Sequence, residues 1–90
     1  MADVRDNTER HRYELNVDGH VAFAEYRRDG GRVTFVHTKV PEELAGRGIG
    51  SQLVRGALTL ARAQGLKVAA ECPFVRAYLD KHPECADLRA

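Results

Sequence analysis

The stretch 40–65, VPEELAGRGIGSQLVRGALTLARAQG, packs Gly46, Gly48 and Gly50 into five positions and then runs into a helical pattern. Glycine is costly at a helix start unless the backbone must turn sharply there or something must come close to it. From Gly48 onward, Ile49, Leu53, Ala57, Leu60 and Ala61 recur on one stripe, widened by Val54 and Leu58. Arg55, Arg62 and Gln64 fall on the other side. That spacing predicts an amphipathic helix over 48–64, with Gly65 as its C-cap. A glycine-rich turn feeding a helix N-terminus offers free N–H groups and the positive end of the helix dipole to an anion. The ordinary alternative is a flexible connection that uses glycine for its turns.

Working outward, the period on the N-terminal side is two. HRYELNV (11–17) alternates, with Tyr13, Leu15 and Val17 on one face, and Asp18-Gly19 signals a tight hairpin. HVAFAEYRR (20–28) is read as the second strand, DGG (29–31) as another turn, and RVTFVHTKV (32–40) as a third strand ended by Pro41. In that third strand Val33 and Phe35 lie on one face and Thr34, Val36, Thr38 and Val40 on the other. Both faces are therefore expected to be covered. Beyond the helix, LKVAAE (66–71) predicts a buried fourth strand. PFVRAYLDKH (73–82) predicts a second helix that opens on a tolerated proline and stops before Pro83. The expected fold is α/β (α+β) with the order β-β-β-α-β-α. An antiparallel meander leads into one βαβ unit with a parallel strand pair.

Ninety residues form one small domain, 1–90, with the polar residues 1–9 expected to fray. Net charge is +1, which argues against an electrostatically driven nucleic-acid partner. No apolar run approaches the roughly 20 residues of a membrane span, and MADVRDNTERHR is too charged for a signal peptide. Cys72 and Cys85 form no CxxC pair. A reduced, cytoplasmic protein is the default expectation.

The glycine cluster is not a P-loop, because it lacks the Gly-Lys pair, and GRGIGS gives GxGxG rather than GxGxxG. It resembles instead the acyl-CoA signature of the GNAT superfamily of N-acetyltransferases, (Arg/Gln)-x-x-Gly-x-(Gly/Ala). That motif falls on Ala45, Gly46, Arg47, Gly48, Ile49 and Gly50. Ala45 stands where Arg or Gln is usual, and Arg47 follows two places on. FVHTKV resembles the strand that pairs with the pantetheine arm in that family, and AYLDKHP resembles the helix after the next strand. AECPFVRAYLDKHPE further resembles a minimal branch of short members with a cysteine after that strand. The resemblance implies splayed parallel strands, acetyl-CoA (coenzyme A) as cofactor and an amine as acceptor. It implies cofactor contacts from Thr38, Val40, Ala45, Gly46, Arg47, Gly48, Ile49, Gly50 and Ser51. The two helices that usually follow the first strand are replaced by the turn at 18–19. The open acceptor side implies a large or loosely selected substrate, or a partner or second copy that completes the pocket.

Transfer of an acyl group to an amine needs one group to take a proton and one to return a proton to the leaving thiolate. By resemblance Tyr78 is the general acid, or else a half-buried core tyrosine. Cys72, at a strand end and just before a helix, is a candidate nucleophile or base, against the reading of a small buried hydrophobe. His37 is the candidate base nearest the expected groove, with Glu25 a weaker one. His11 and His20 are expected to be solvated. His82, Cys85 and Cys72 lack the paired spacing of a zinc site, so no metal is expected. The alternative function is a CoA-binding or regulatory module without turnover.

Overall fold

The computed structural model describes residues 4–90. Alternation along β2 (Arg12–Val17) and β3 (His20–Asp29) places Tyr13, Leu15, Ala22, Ala24 and Tyr26 on one buried face. The turn between them is tight because Asp18 and Gly19 both take positive φ, 51° and 79°. β4 (Arg32–Lys39) adds Val33 and Phe35 to that face. Helix α1 (Ile49–Ala63) covers it with Ile49, Leu53, Val54, Ala57, Leu58 and Ala61, and crosses over to β5 (Lys67–Ala70), parallel to β4. Helix α2 (Pro73–Lys81) joins the same core through Val75 and Leu79. On the other sheet face Phe23, Glu25, Arg27 and His37 are half-buried or exposed.

The sheet has five strands, one more than the sequence suggests. Residues 4–7, read as part of a frayed tail, form β1 (Val4–Asn7), antiparallel to β2. The stretch is polar, but its side chains have distant partners. Tyr26 Oη donates to Asp6 Oδ1 at 2.6 Å and Gln64 Nε2 donates to Asp6 Oδ2 at 3.1 Å. Burial pushes the Tyr13 hydroxyl up to about 12, and the Asp6 charge adds to it. The expectation for residues 1–3 lies outside the described residues.

Val4 packs so closely on Gly56 of α1 that a Cβ at position 56 has no room. Gly56→Ala is therefore expected to lift β1 off the helix at a cost of about 1–3 kcal/mol, read by chemical denaturation. Glu14, on the opposite sheet face, is buried between Arg12, Arg5 and Asn7. Burial opposes its ionisation, but the hydrogen bonds from Arg12 and Asn7 prevail and hold its carboxyl below the usual value. Its contribution is present above the unfolded-state carboxylate pKa and is lost as pH falls through the lower folded value. Glu14→Gln should destabilise the protein at neutral pH and flatten that acid limb in denaturation curves recorded from pH 7 to pH 3.

β4 departs from simple alternation in a way that shapes the site. Glu25 pairs with His37 but Tyr26 pairs with Phe35, so Val36 is an extra, bulged residue. Beyond it the faces exchange. Thr38 pairs with Ala24 and joins the core side, while His37 turns to the other face with Glu25 and Phe23. The expectation of a strand covered on both faces holds at Val33, Thr34 and Phe35, all buried, and fails beyond them, where His37 and Lys39 are exposed.

Candidate functional site

Phe35 marks where the parallel pair parts. Its carbonyl accepts from Glu71 N at 2.8 Å and from Cys72 N at 3.1 Å. β5 has ended at Ala70, whereas β4 runs on to Lys39. Past Phe35 the ladder is left with a cleft between the outer half of β4 and the start of α2, bridged by Cys72 and Thr38.

The loop 40–50 borders this cleft. Val40 packs against the core, and the short 3-10 turn Glu42–Leu44 anchors the loop through buried Leu44. Gly46 and Gly48 then take φ of 79° and 68°, with nothing within 4 Å of where a Cβ would stand. Their glycines answer a left-handed backbone and leave open space above it. Gly48 is the N-cap of α1 without a side-chain hydrogen bond, and the first turn of the helix carries no acidic residue. The leading N–H groups are thus left without a capping side chain at the positive end of the helix dipole. Gly50 has a different cause, because a Cβ there would lie 2.7 Å from Cζ of Phe74. Arg47 Nη1 donates to Asp18 Oδ2 at 2.8 Å, which ties the loop to the tip of the β2–β3 hairpin. From Ser51 a groove of about 630 Å³ continues between the helices, lined by Gln52, Arg55, Tyr78 and His82.

Cys72, the N-cap of α2, is 5% exposed. Its Sγ donates to Thr38 Oγ1 across the cleft at 3.5 Å. Burial raises the thiol pKa, but the Thr38 hydroxyl and the neighbouring backbone N–H groups, which favour the thiolate, outweigh it. The thiol is held below its ordinary value.

The three sequence-derived catalytic candidates do not converge. Tyr78 lies six residues beyond Cys72 on α2, about 9 Å along the helix axis, and stacks on His82 at 4.0 Å between ring centroids. Burial raises its hydroxyl pKa, reinforced by Cys85. His37 stands on the opposite sheet face, its ring edge-on to Phe23 at 6.3 Å. Thr38, expected as a cofactor contact, is the partner of the Cys72 thiol. Sequence reasoning passed over Phe74, Gln52 and the anchoring of Arg47 by Asp18. Only Phe74 carried a signal, two residues after Cys72 at the start of a helix. Among the described residues no three His, Cys, Asp or Glu side chains cluster as a metal would require. Among the described residues no helix is long and apolar enough to cross a membrane.

A mixed sheet whose parallel pair parts beside a glycine-built helix N-terminus defines a GNAT-like domain. Residues 12–88 match the family model described as GCN5-related N-acetyl-transferase, and the chain belongs to that family. Among solved structures it is similar to the NMR solution structure of a GCN5-like protein from Staphylococcus aureus. The two are 26% identical with a TM-score of 0.74, over 98% of this chain and 87% of that one. No curated protein matches it.

Proposed function

We propose that this protein binds acetyl-CoA and transfers its acetyl group to a primary amine. The observation that carries the reading is the uncapped N-terminus of α1, opened by Gly46 and Gly48 beside the cleft at Phe35. A pyrophosphate would meet the backbone N–H groups of 46–51, with Ser51 at their end. Arg55 and Gln52 line the groove along which the rest of the nucleotide half would run. Val40 and the outer half of β4 would flank the arm that leads into the cleft.

Acetyl-CoA supplies the activated acyl carbon. Cys72 thiolate attacks that carbon, the bond to CoA sulfur breaks, and CoA leaves as a thiolate. Thr38, acceptor while Cys72 is a thiol, turns donor to the thiolate. The amine then attacks the acetyl-Cys72 carbonyl, the C–S bond breaks and Cys72 returns as a thiolate. His37 faces the other side of the sheet, so water takes the proton that the amine loses. Tyr78, protonated at neutral pH, serves the CoA side. A cytoplasmic setting agrees with two free cysteines.

The separation of Tyr78, Cys72 and His37 favours a second reading, a module that holds CoA without turnover. Release of CoA thiol from acetyl-CoA, assayed against amines and lysine-containing peptides, separates the two. Tight CoA binding without release under any acceptor supports the module, and absence of binding sinks both. Arg47→Ala is expected to weaken CoA binding by no more than about fivefold, because its exposed partner Asp18 is worth under about 1 kcal/mol.

A further inference from the structure

The first turn of α2 contributes to both ends of the cleft. Cys72 stands at its N-cap with Sγ on Thr38 Oγ1, while the Phe74 ring reaches across to α1 and lies on Gly50. Val75 and Leu79 anchor the helix in the core, so Phe74 is not needed for that purpose. Among the described residues it is the large hydrophobic side chain left in solvent, 44% exposed. A single exposed aromatic is ordinary on a protein surface. This one bridges the N-termini of the two helices on which the cofactor site and the thiol are built.

We propose that the Phe74 ring is the wall that sets the length of acyl chain the site accepts, admitting acetyl and excluding longer chains. The proposal rests on the acetyl-CoA reading. Gly50 fixes the ring's place, because any side chain at position 50 would push it aside. A ligand with its anion on the 45–50 loop and its thioester at Cys72 must pass this ring. Each methylene beyond acetyl then has to displace an aromatic side chain that is braced from behind by α1. One methylene against a fitted apolar wall changes discrimination by about 10–200-fold.

The test measures binding of CoA, acetyl-CoA and butyryl-CoA by calorimetry without an acceptor, in a Cys72→Ala background so that no acyl group moves to the thiol. The parent should bind acetyl-CoA at least about tenfold more tightly than butyryl-CoA. Phe74→Ala should bring the two within about threefold, leaving CoA itself unchanged because its anion rests on the α1 N-terminus. Phe74→Tyr should keep the discrimination, and a general loss of structure would lower all three affinities together. Equal binding by the parent, or an unchanged ratio in Phe74→Ala, overturns the proposal while leaving the acetyl-CoA reading intact. Failure of CoA itself to bind the parent removes that reading, and this proposal with it.

Discussion

Gly48→Val is expected to abolish CoA binding while the sheet and both helices remain folded. Gly48 has a φ of 68° at the N-cap of α1. A β-branched residue there is a steric outlier, with strain of about 1–3 kcal/mol. The backbone relieves that strain by rotating, and the N–H groups that precede α1 then turn away from the space they now face. The core side chains of α1 begin at Ile49 and reach Ala61, so the fold keeps its main attachment. Thermal denaturation with and without ligand reads both effects. At 100 times its dissociation constant, CoA should stabilise the parent by about 2.7 kcal/mol and the variant not at all. Gly50→Val should instead leave CoA bound, because its side chain meets the Phe74 ring and not the open space above Gly46 and Gly48. A Gly48→Val protein that binds CoA like the parent would show that the anion site lies elsewhere.

Cys72→Ala should lower turnover by at least about a hundredfold, the low end for removal of a positioned reacting group. CoA affinity should hold, because the thiol lies at the far side of the cleft from the α1 N-terminus. Incubating the parent with acetyl-CoA should leave an acetyl adduct that peptide mass spectrometry places on Cys72 and not on Cys85. The environments of the two differ in sign. Hydrogen bonds hold the Cys72 thiol below its ordinary value despite burial, whereas burial raises Cys85 and the Glu84 charge adds to it. Alkylation of Cys72 should therefore rise with pH at values below those of a free thiol. Thr38→Val, which removes a donor to the thiolate, should move that rise upward. Cys72→Ser should be nearly as inactive as Cys72→Ala, since a hydroxyl ionises far less readily. Full turnover in Cys72→Ala would point instead to direct transfer with water as base.

The helix of the signature stretch and the strands around it were legible because their signals are local. The 3.6-residue stripe from Ile49 to Ala61, the Asp18-Gly19 turn and the proline that opens α2 each need only neighbouring residues to act. β1 was not legible. Asp6 and Asn7 look like tail residues until Tyr26, Gln64 and Glu14 are brought beside them from 7 to 58 positions away. The same limit applies to the glycines. The sequence marks all three as conspicuous, yet two serve a positive φ and the third makes room for Phe74, a residue 24 positions further along the chain.

By itself, then, the order of residues determined the kind of domain, a helix launched from a glycine turn against a meander, and the residue types available for acyl transfer. Which of those residues meet was decided only by the tertiary structure. The bulge at Val36 turns His37 to the uncovered sheet face and Thr38 toward Cys72, and no periodicity in FVHTKV reveals a bulge. A bulge arises where two strands must pair out of step, and that is a property of the partner strand as much as of its own sequence. The parting of β4 from β5 at Phe35 likewise depends on where α2 begins, since both strands could otherwise continue their ladder. Local propensity writes the elements, whereas pairing register and helix packing choose the faces their side chains share.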